Sequence, residues 1–162
     1  MNCIVAVDSR WAIGKDNRLL ISIPEDMKYF RRVTTGKTVI YGRKTLESFS
    51  GQKPLPNRRN IVITHQKNFD GHGAEVVHSI EEAVRITADE DPENVFVIGG
   101  GIIYEAMLPL CGRAYVTKIG HAFGADAFFP NLDNKDDWEI ESESESFEHE
   151  GVPYKFLVYR RS

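Results

Sequence analysis

Val95-Phe96-Val97-Ile98-Gly99-Gly100-Gly101 is the stretch on which the fold turns. Four apolar residues closed by glycines form a buried strand. The glycines lead into a helix expected from about Ile102 to Leu108, and strand, glycine turn and helix are the repeating parts of a parallel sheet. Free backbone N–H groups at such a turn approach a phosphate, but the same turn also serves as a tight structural corner. The spacing is not the dinucleotide fingerprint Gly-x-Gly-x-x-Gly, because Tyr104 takes the third glycine's place. It also lacks the Lys-Ser/Thr of a P-loop.

Outward from this unit the alternation continues. Asn2 to Val7, Thr38 to Tyr41, Asn60 to Thr64 and the short Val76-Val77-His78 read as strands. Between them, Ser22-Ile23-Pro24-Glu25 has the form of a capping box, with Ser22 as N-cap, opening a helix that runs to about Val33. Lys44 to Phe49 and Ser79 to Ala88 are further helices; Ile80, Ala83, Val84 and Thr87 share a face of the second. A long irregular segment is expected from Asp8 to Ile23. The last third differs: Ala114 to Ile119, Trp138 to Ser146 and Tyr154 to Arg160 are strands, the last two joined by a short link as an antiparallel pair. Glu139, Glu141, Glu143 and Glu145 alternate along that pair as a solvated face. The expected fold is α/β: a single domain over 1–162 with a central mixed, mostly parallel sheet flanked by helices, and residues from about 37 to 91 as a lobe within it.

Composition sets the bounds. With 162 residues, 41% of them hydrophobic, one domain can bury a core. The apolar runs are far below membrane-spanning length, and Met1-Asn2 opens no signal peptide, so a cytoplasmic protein is expected, with no membrane partner. A net charge of −4 argues against a nucleic-acid surface. Cys3 and Cys111 fit no Cys-x-x-Cys motif and read as buried thiols.

Asp26 is the first chemical candidate. It falls in a helical first turn with Phe30 one turn on, so both face the same way. It is either a carboxylate lining an apolar cavity or an acid that merely favours a helix N-terminus. Gly42-Arg43-Lys44-Thr45 places two cations and a hydroxyl at a strand-to-helix junction, either a phosphate site or a solvated basic turn. Thr64-His65-Gln66 ends the next strand. No nucleophile elbow and no His-x-x-x-His pair occurs, so hydrolysis and metal catalysis are disfavoured.

Taken in order, these segments resemble the dihydrofolate reductase family, of the bacterial chromosomal type, over nearly the whole chain. The resemblance rests on Asn2 to Asn17, Ile23-Pro24-Glu25-Asp26-Met27-Lys28-Tyr29-Phe30, Val39 to Thr45, Pro54 to Asn60, Val97 to Gly101 with Tyr104, and Asp126-Ala127-Phe128-Phe129-Pro130. It implies an NADPH-dependent enzyme that transfers a hydride to C6 of 7,8-dihydrofolate, with protonation at N5, in one-carbon metabolism. It also implies a monomer with a small-molecule substrate and no metal. Asp26 would bind the 2-amino and N3 edge of the pteridine, Thr117 would hydrogen-bond Asp26, and Tyr104 would sit near the rings with the carbonyls of Ile4 and Ile98. Val5, Met27, Phe30, Phe49 and Leu55 would line the substrate, and Arg58 would pair with its glutamate tail. Ala6 and Ile13 would meet the nicotinamide, and Gly100, Gly101 and Thr45 the pyrophosphate region. Arg43, Lys44 and Thr64 would hold phosphates, including the 2′-phosphate, with Gly14, Leu19, Gly42, His65, Gly99 and Ile102 completing the cofactor contacts. The Gly99-Gly100 bond would be cis.

Three departures from the family pattern stand out. Leu20-Ile21 replaces Pro-Trp, Ile102 follows the glycines where relatives are often polar, and two extra residues separate Phe49 from Pro54. The alternatives are a pyrimidine reductase of riboflavin synthesis, on the same fold, and a nucleotide-binding module without catalysis. Asp26 within Pro-Glu-Asp, the Phe30 spacing and Arg58 favour folate over the first, and only Leu20-Ile21 supports the second, since the other expected residues remain.

Overall fold

Six strands run parallel through the middle of the molecule. They are β1 (Asn2–Val7), β3 (Thr38–Gly42), β4 (Arg59–Ile63), β5 (Glu75–Val77), β6 (Val95–Gly99) and β7 (Arg113–Ile119), in the order β7-β1-β6-β3-β4-β5. The computed structural model describes residues 1–14 and 21–162. β11 (Val152–Arg161) adds antiparallel to β7 and is itself flanked by β9 (Trp138–Glu143) and β10 (Phe147–His149). The central strands are apolar on both faces, as burial under helices on both sides requires.

Each face has its own core. On one, α1 (Pro24–Thr34) and α2 (Arg43–Ser48) bring Tyr29, Phe30, Val33 and Leu46 against Ile4, Val39, Tyr41, Val62, Phe96 and Ile98. On the other, α3 (Ile80–Ile86) and α4 (Gly101–Met107) supply Ala83, Tyr104 and Met107 to Cys3, Val5, Val7, Ile40, Val97 and Val116. Consecutive residues of β1 and β6 alternate between the two cores, as pleating demands. Cys3 and Cys111 are buried free thiols, and their Sγ atoms point to the Arg113 and Met107 carbonyls.

The sequence expectations hold for the parallel core and need three corrections. First, α1 is capped by Ile23, with no side-chain cap bond, rather than by Ser22. Pro24 forces the residue before it into extended backbone, and Ile23, only 2% exposed, is anchored in the core with Ile119 and Tyr154. Second, the expected strand 138–146 is shorter, and a further strand lies beyond it. β9 stops at Glu143, and β10 makes a tight hairpin with β11 across Glu150 and Gly151, both at positive φ. Third, the segment after Asp8 is not wholly irregular: β2 (Ala12–Gly14) pairs with β8 (Ala127–Phe128) as a separate two-stranded sheet.

Candidate functional site

Because β3 to β6 are parallel, their C-terminal ends share one edge. That edge carries Gly42, Thr64, His78 and the glycine turn, and it is the edge at which α/β sheets take ligands. Tyr41 pairs with Gly99, so the starts of α2 and α4 lie side by side. The Gly99-Gly100 bond is cis, and Gly99 sits at φ +130°, a conformation that disfavours any side chain. A Cβ at Gly99 or Gly100 would stand 3.6 Å from the Thr45 hydroxyl, so bare backbone and that hydroxyl face one space. The donor set suits a pyrophosphate: amide groups, a hydroxyl and nearby cations.

At the basic junction, Arg43 is half-buried and holds Glu47 of its own helix at 2.7 Å, while Lys44 is exposed. One strand further, the buried Thr64 hydroxyl accepts from Gln66 N, and His65 points to solvent. His78, which sequence reading passed over, places Nδ1 2.9 Å from the Thr64 carbonyl. The pairing of Ile63 with Val77 brings it there, a register no local pattern reveals. Ile102 is 84% exposed, so this apolar replacement offers no polar atom to the edge.

The second half of the site lies on the α1 face of the sheet. Asp26 is half-buried in the first turn of α1, and its Oδ1 accepts a 2.6 Å hydrogen bond from the Thr117 hydroxyl of β7. Burial pushes its carboxyl above the usual carboxylate range, and the Thr117 bond opposes that rise only in part. Around it, Ile4, Ile98, Phe30, Phe49 and Leu55 belong to a single apolar cluster, the wall expected for a substrate. Met27 is 43% exposed and outside that cluster, and Val5 turns its side chain into the opposite core, so the pleat leaves only its backbone to face the site.

Tyr104 is fully enclosed, and its hydroxyl donates to the Ile4 carbonyl at 2.6 Å. It thereby holds that carbonyl in place. Asn60 shapes the neighbouring loop by bonding Leu55 through both backbone groups and the Arg58 carbonyl. Arg58 then lies with its guanidinium 5.9 Å from the Phe30 ring centroid, and its buried Nε has no partner among the described residues. A buried donor left unpaired is costly, and a carboxylate laid along Phe30 would satisfy it. Ala6, Ile21 and Phe123 pack against the cluster of Ile23, Ile119 and Tyr154, while Ile13 and Gly14 belong to β2. Leu19 and Leu20 lie outside the described residues.

An α/β sheet with a glycine turn and hydroxyl at one edge, and a carboxylate against an apolar wall nearby, has the layout of a cofactor-dependent enzyme acting on a small molecule. Comparison with known proteins gives the family. The family model described as dihydrofolate reductase matches residues 1–161. Dihydrofolate reductase of Bacillus subtilis is 40% identical over 160 residues, 98% of this chain and 92% of that protein. That of Staphylococcus haemolyticus is 42% identical over 163 residues, covering 99% and 95% of the two chains. Among solved structures, dihydrofolate reductase from Enterococcus faecalis, complexed with NADP(H) and RAB-propyl, superposes with a TM-score of 0.88 at 34% identity, covering 99% of this chain and 95% of that one. The chain belongs to the dihydrofolate reductase family. Its reaction is the NADPH-dependent reduction of dihydrofolate to tetrahydrofolate, and a riboflavin-pathway reductase is not favoured. No described helix is long and apolar enough to cross a membrane.

Proposed function

We propose that Asp26, pinned by Thr117 in the first turn of α1, is the residue on which the reduction depends, and the Asp26–Thr117 hydrogen bond carries this reading. A carboxylate fixed against an apolar wall accepts hydrogen bonds from the amino and N3 edge of the pteridine. It orients the ring and favours its cationic form. That edge is remote from N5, so the proton at N5 comes from water, and Asp26 acts through its charge. Ile4, Phe30, Phe49, Leu55 and Ile98 exclude bulk water from the ring, and Arg58 receives the carboxylate of the glutamate tail with the Nε that lacks a partner.

NADPH supplies the hydride when bound. The residues that hold it are Gly99 to Gly101 and Thr45 at the pyrophosphate, Arg43, Lys44 and Thr64 at the 2′-phosphate, and Ala6, Ile13 and Gly14 beside the nicotinamide. Residues 37–91 form the lobe that carries the adenosine end, and the chain works as a cytoplasmic monomer, a state that sedimentation at micromolar concentration checks. The decisive experiment is single-turnover NADPH oxidation by Asp26→Asn across pH. A steep loss at neutral pH with partial recovery in acid is the expected result, and near-normal rates at pH 7 would remove Asp26 from its role.

A further inference from the structure

Asp8 is a carboxylate at the end of β1, 2% exposed, and it enters no ion pair among the described residues. Backbone N–H groups satisfy it from two directions. Its Oδ1 accepts from Arg10 N at 2.8 Å and Ala12 N at 2.9 Å, closing the turn that holds Trp11 at φ 63°. Its Oδ2 accepts from Phe123 N at 2.9 Å, on the loop between β7 and β8.

The local turn alone would be served by Asn or Ser, which make the same side-chain-to-backbone bonds. Two acceptor oxygens on one buried group are required only because donors arrive on both sides. What Asp8 joins is the pair of segments that become β2 and β8. These pair with each other, Asp126 N donates to the Gly14 carbonyl at 3.1 Å, and together they lie on the glycine turn. A Cβ at Gly101 would stand 3.7 Å from Ile13 Cδ1, 3.7 Å from Ala127 Cβ and 3.9 Å from the Phe128 carbonyl.

We infer that Asp8 is a positioning residue for the cofactor: its Oδ2 bond to Phe123 N fixes the β2–β8 pair against the glycine turn. Asp8 itself touches no ligand. This rests on the reading above, that the glycine turn with Ile13 and Gly14 forms the cofactor side of the site. The substrate wall around Asp26 belongs to a cluster on the α1 face that contains neither Phe123 nor the β2–β8 pair, so the effect of Asp8 is selective.

Asp8→Asn separates the two roles. One amide oxygen still serves Arg10 and Ala12, but its NH2 now faces the Phe123 N–H, donor against donor. In the ligand-free protein the Phe123 amide should exchange with deuterium faster, by about tenfold, as befits the loss of one charge-assisted bond. The Kd for NADPH should rise about tenfold, and the Kd for dihydrofolate should stay within about twofold, the behaviour of a distant independent site. Asp8→Ser, whose hydroxyl reaches only the local turn, should give the same ratio and takes over the comparison where the Asn variant folds poorly. Gly101→Val is measured alongside. Equal losses of both affinities, or a lower Tm with both affinities intact, overturn the inference and leave Asp8 a structural residue. An unchanged NADPH Kd in the Asp8 variants with a weakened one in Gly101→Val overturns the role of Asp8 alone. Unchanged binding in all three overturns the cofactor-site reading too.

Discussion

At the scale of single residues, the chemistry rests on contacts between positions far apart in the chain. Asp26→Asn keeps the oxygen that accepts from Thr117 but loses the charge, and kcat/KM at neutral pH should fall by roughly a hundredfold or more. The same variant should be more stable to heat at neutral pH. Burial raises the Asp26 carboxyl, so its ionised form costs the folded state above that raised value, and the cost fades as pH falls through it. Melting curves at pH 7 and near pH 4 check this, with the advantage shrinking in acid. Arg43→Ala should weaken NADPH more than NADH, because a 2′-phosphate needs a charge-assisted partner, and equal losses would place Arg43 at the shared pyrophosphate. Ile21 packs against the cluster of Ile23, Ile119 and Tyr154, and its side chain has no hydrogen-bond donor. The double change Leu20→Pro, Ile21→Trp restores an indole N–H. Single-turnover rates should then rise at neutral pH and converge with the parent in acid, a comparison that avoids reporting product release. Asp26 was legible as a candidate from its place one turn before Phe30. Its partner Thr117 was legible only through family resemblance, because no spacing rule links a helix to a strand ninety-one positions away.

At the scale of elements, legibility followed length. The strands of the parallel core carry consecutive apolar residues, from Val76-Val77 in β5 to Cys3–Val7 in β1, and the sequence shows each one. β2 and β8, of three and two residues, are too short for any periodicity to show, yet they are what rests against Gly101. The alternation from Glu139 to Glu145 reads as one continuous strand. In the structure it breaks where Ser144 donates its N–H to the Phe156 carbonyl and accepts from Phe156 N through its hydroxyl. Glu139, Glu141 and Glu143 pair with Arg160, Arg113 and Lys155, so that face is an ion ladder rather than a free acidic surface. The hairpin beyond the break has Glu150 at φ 49° followed by Gly151 at φ 82°, the geometry of a type I′ turn. Asn accepts that conformation more readily than Glu. Glu150→Asn should raise Tm by about 2 °C, in line with turn optimisation of about 0.5 kcal/mol in a chain of this size, and differential scanning calorimetry measures it.

At the scale of the whole molecule, acid acts on several ion pairs at once. Hydrogen bonds from Arg59 hold the Glu75 carboxyl below its usual range, and those from Arg113 do the same for Glu141. For Asp133, burial pushes upward, but Lys118 and Tyr159 together outweigh it. Carboxyls held low stabilise the fold above their unfolded range and stop doing so as pH falls through the folded values, so Tm should drop between about pH 5 and pH 3. A Glu75→Gln, Asp133→Asn double variant should show a shallower drop and a lower Tm at pH 7. The sheet order has a consequence in time as well. β7, which carries Thr117, is closed on one side by β1 and on the other by β11, which follows it in the chain only after β8, β9 and β10. Until Val152–Arg161 emerges, a nascent chain presents the open flank of β7, with unpaired N–H and C=O groups, to whatever strand comes near. Translation that pauses over the acidic stretch 138–150 therefore prolongs the exposure of that open flank. The strand whose hydroxyl pins the Asp26 carboxylate is paired on both sides only once β11 has docked.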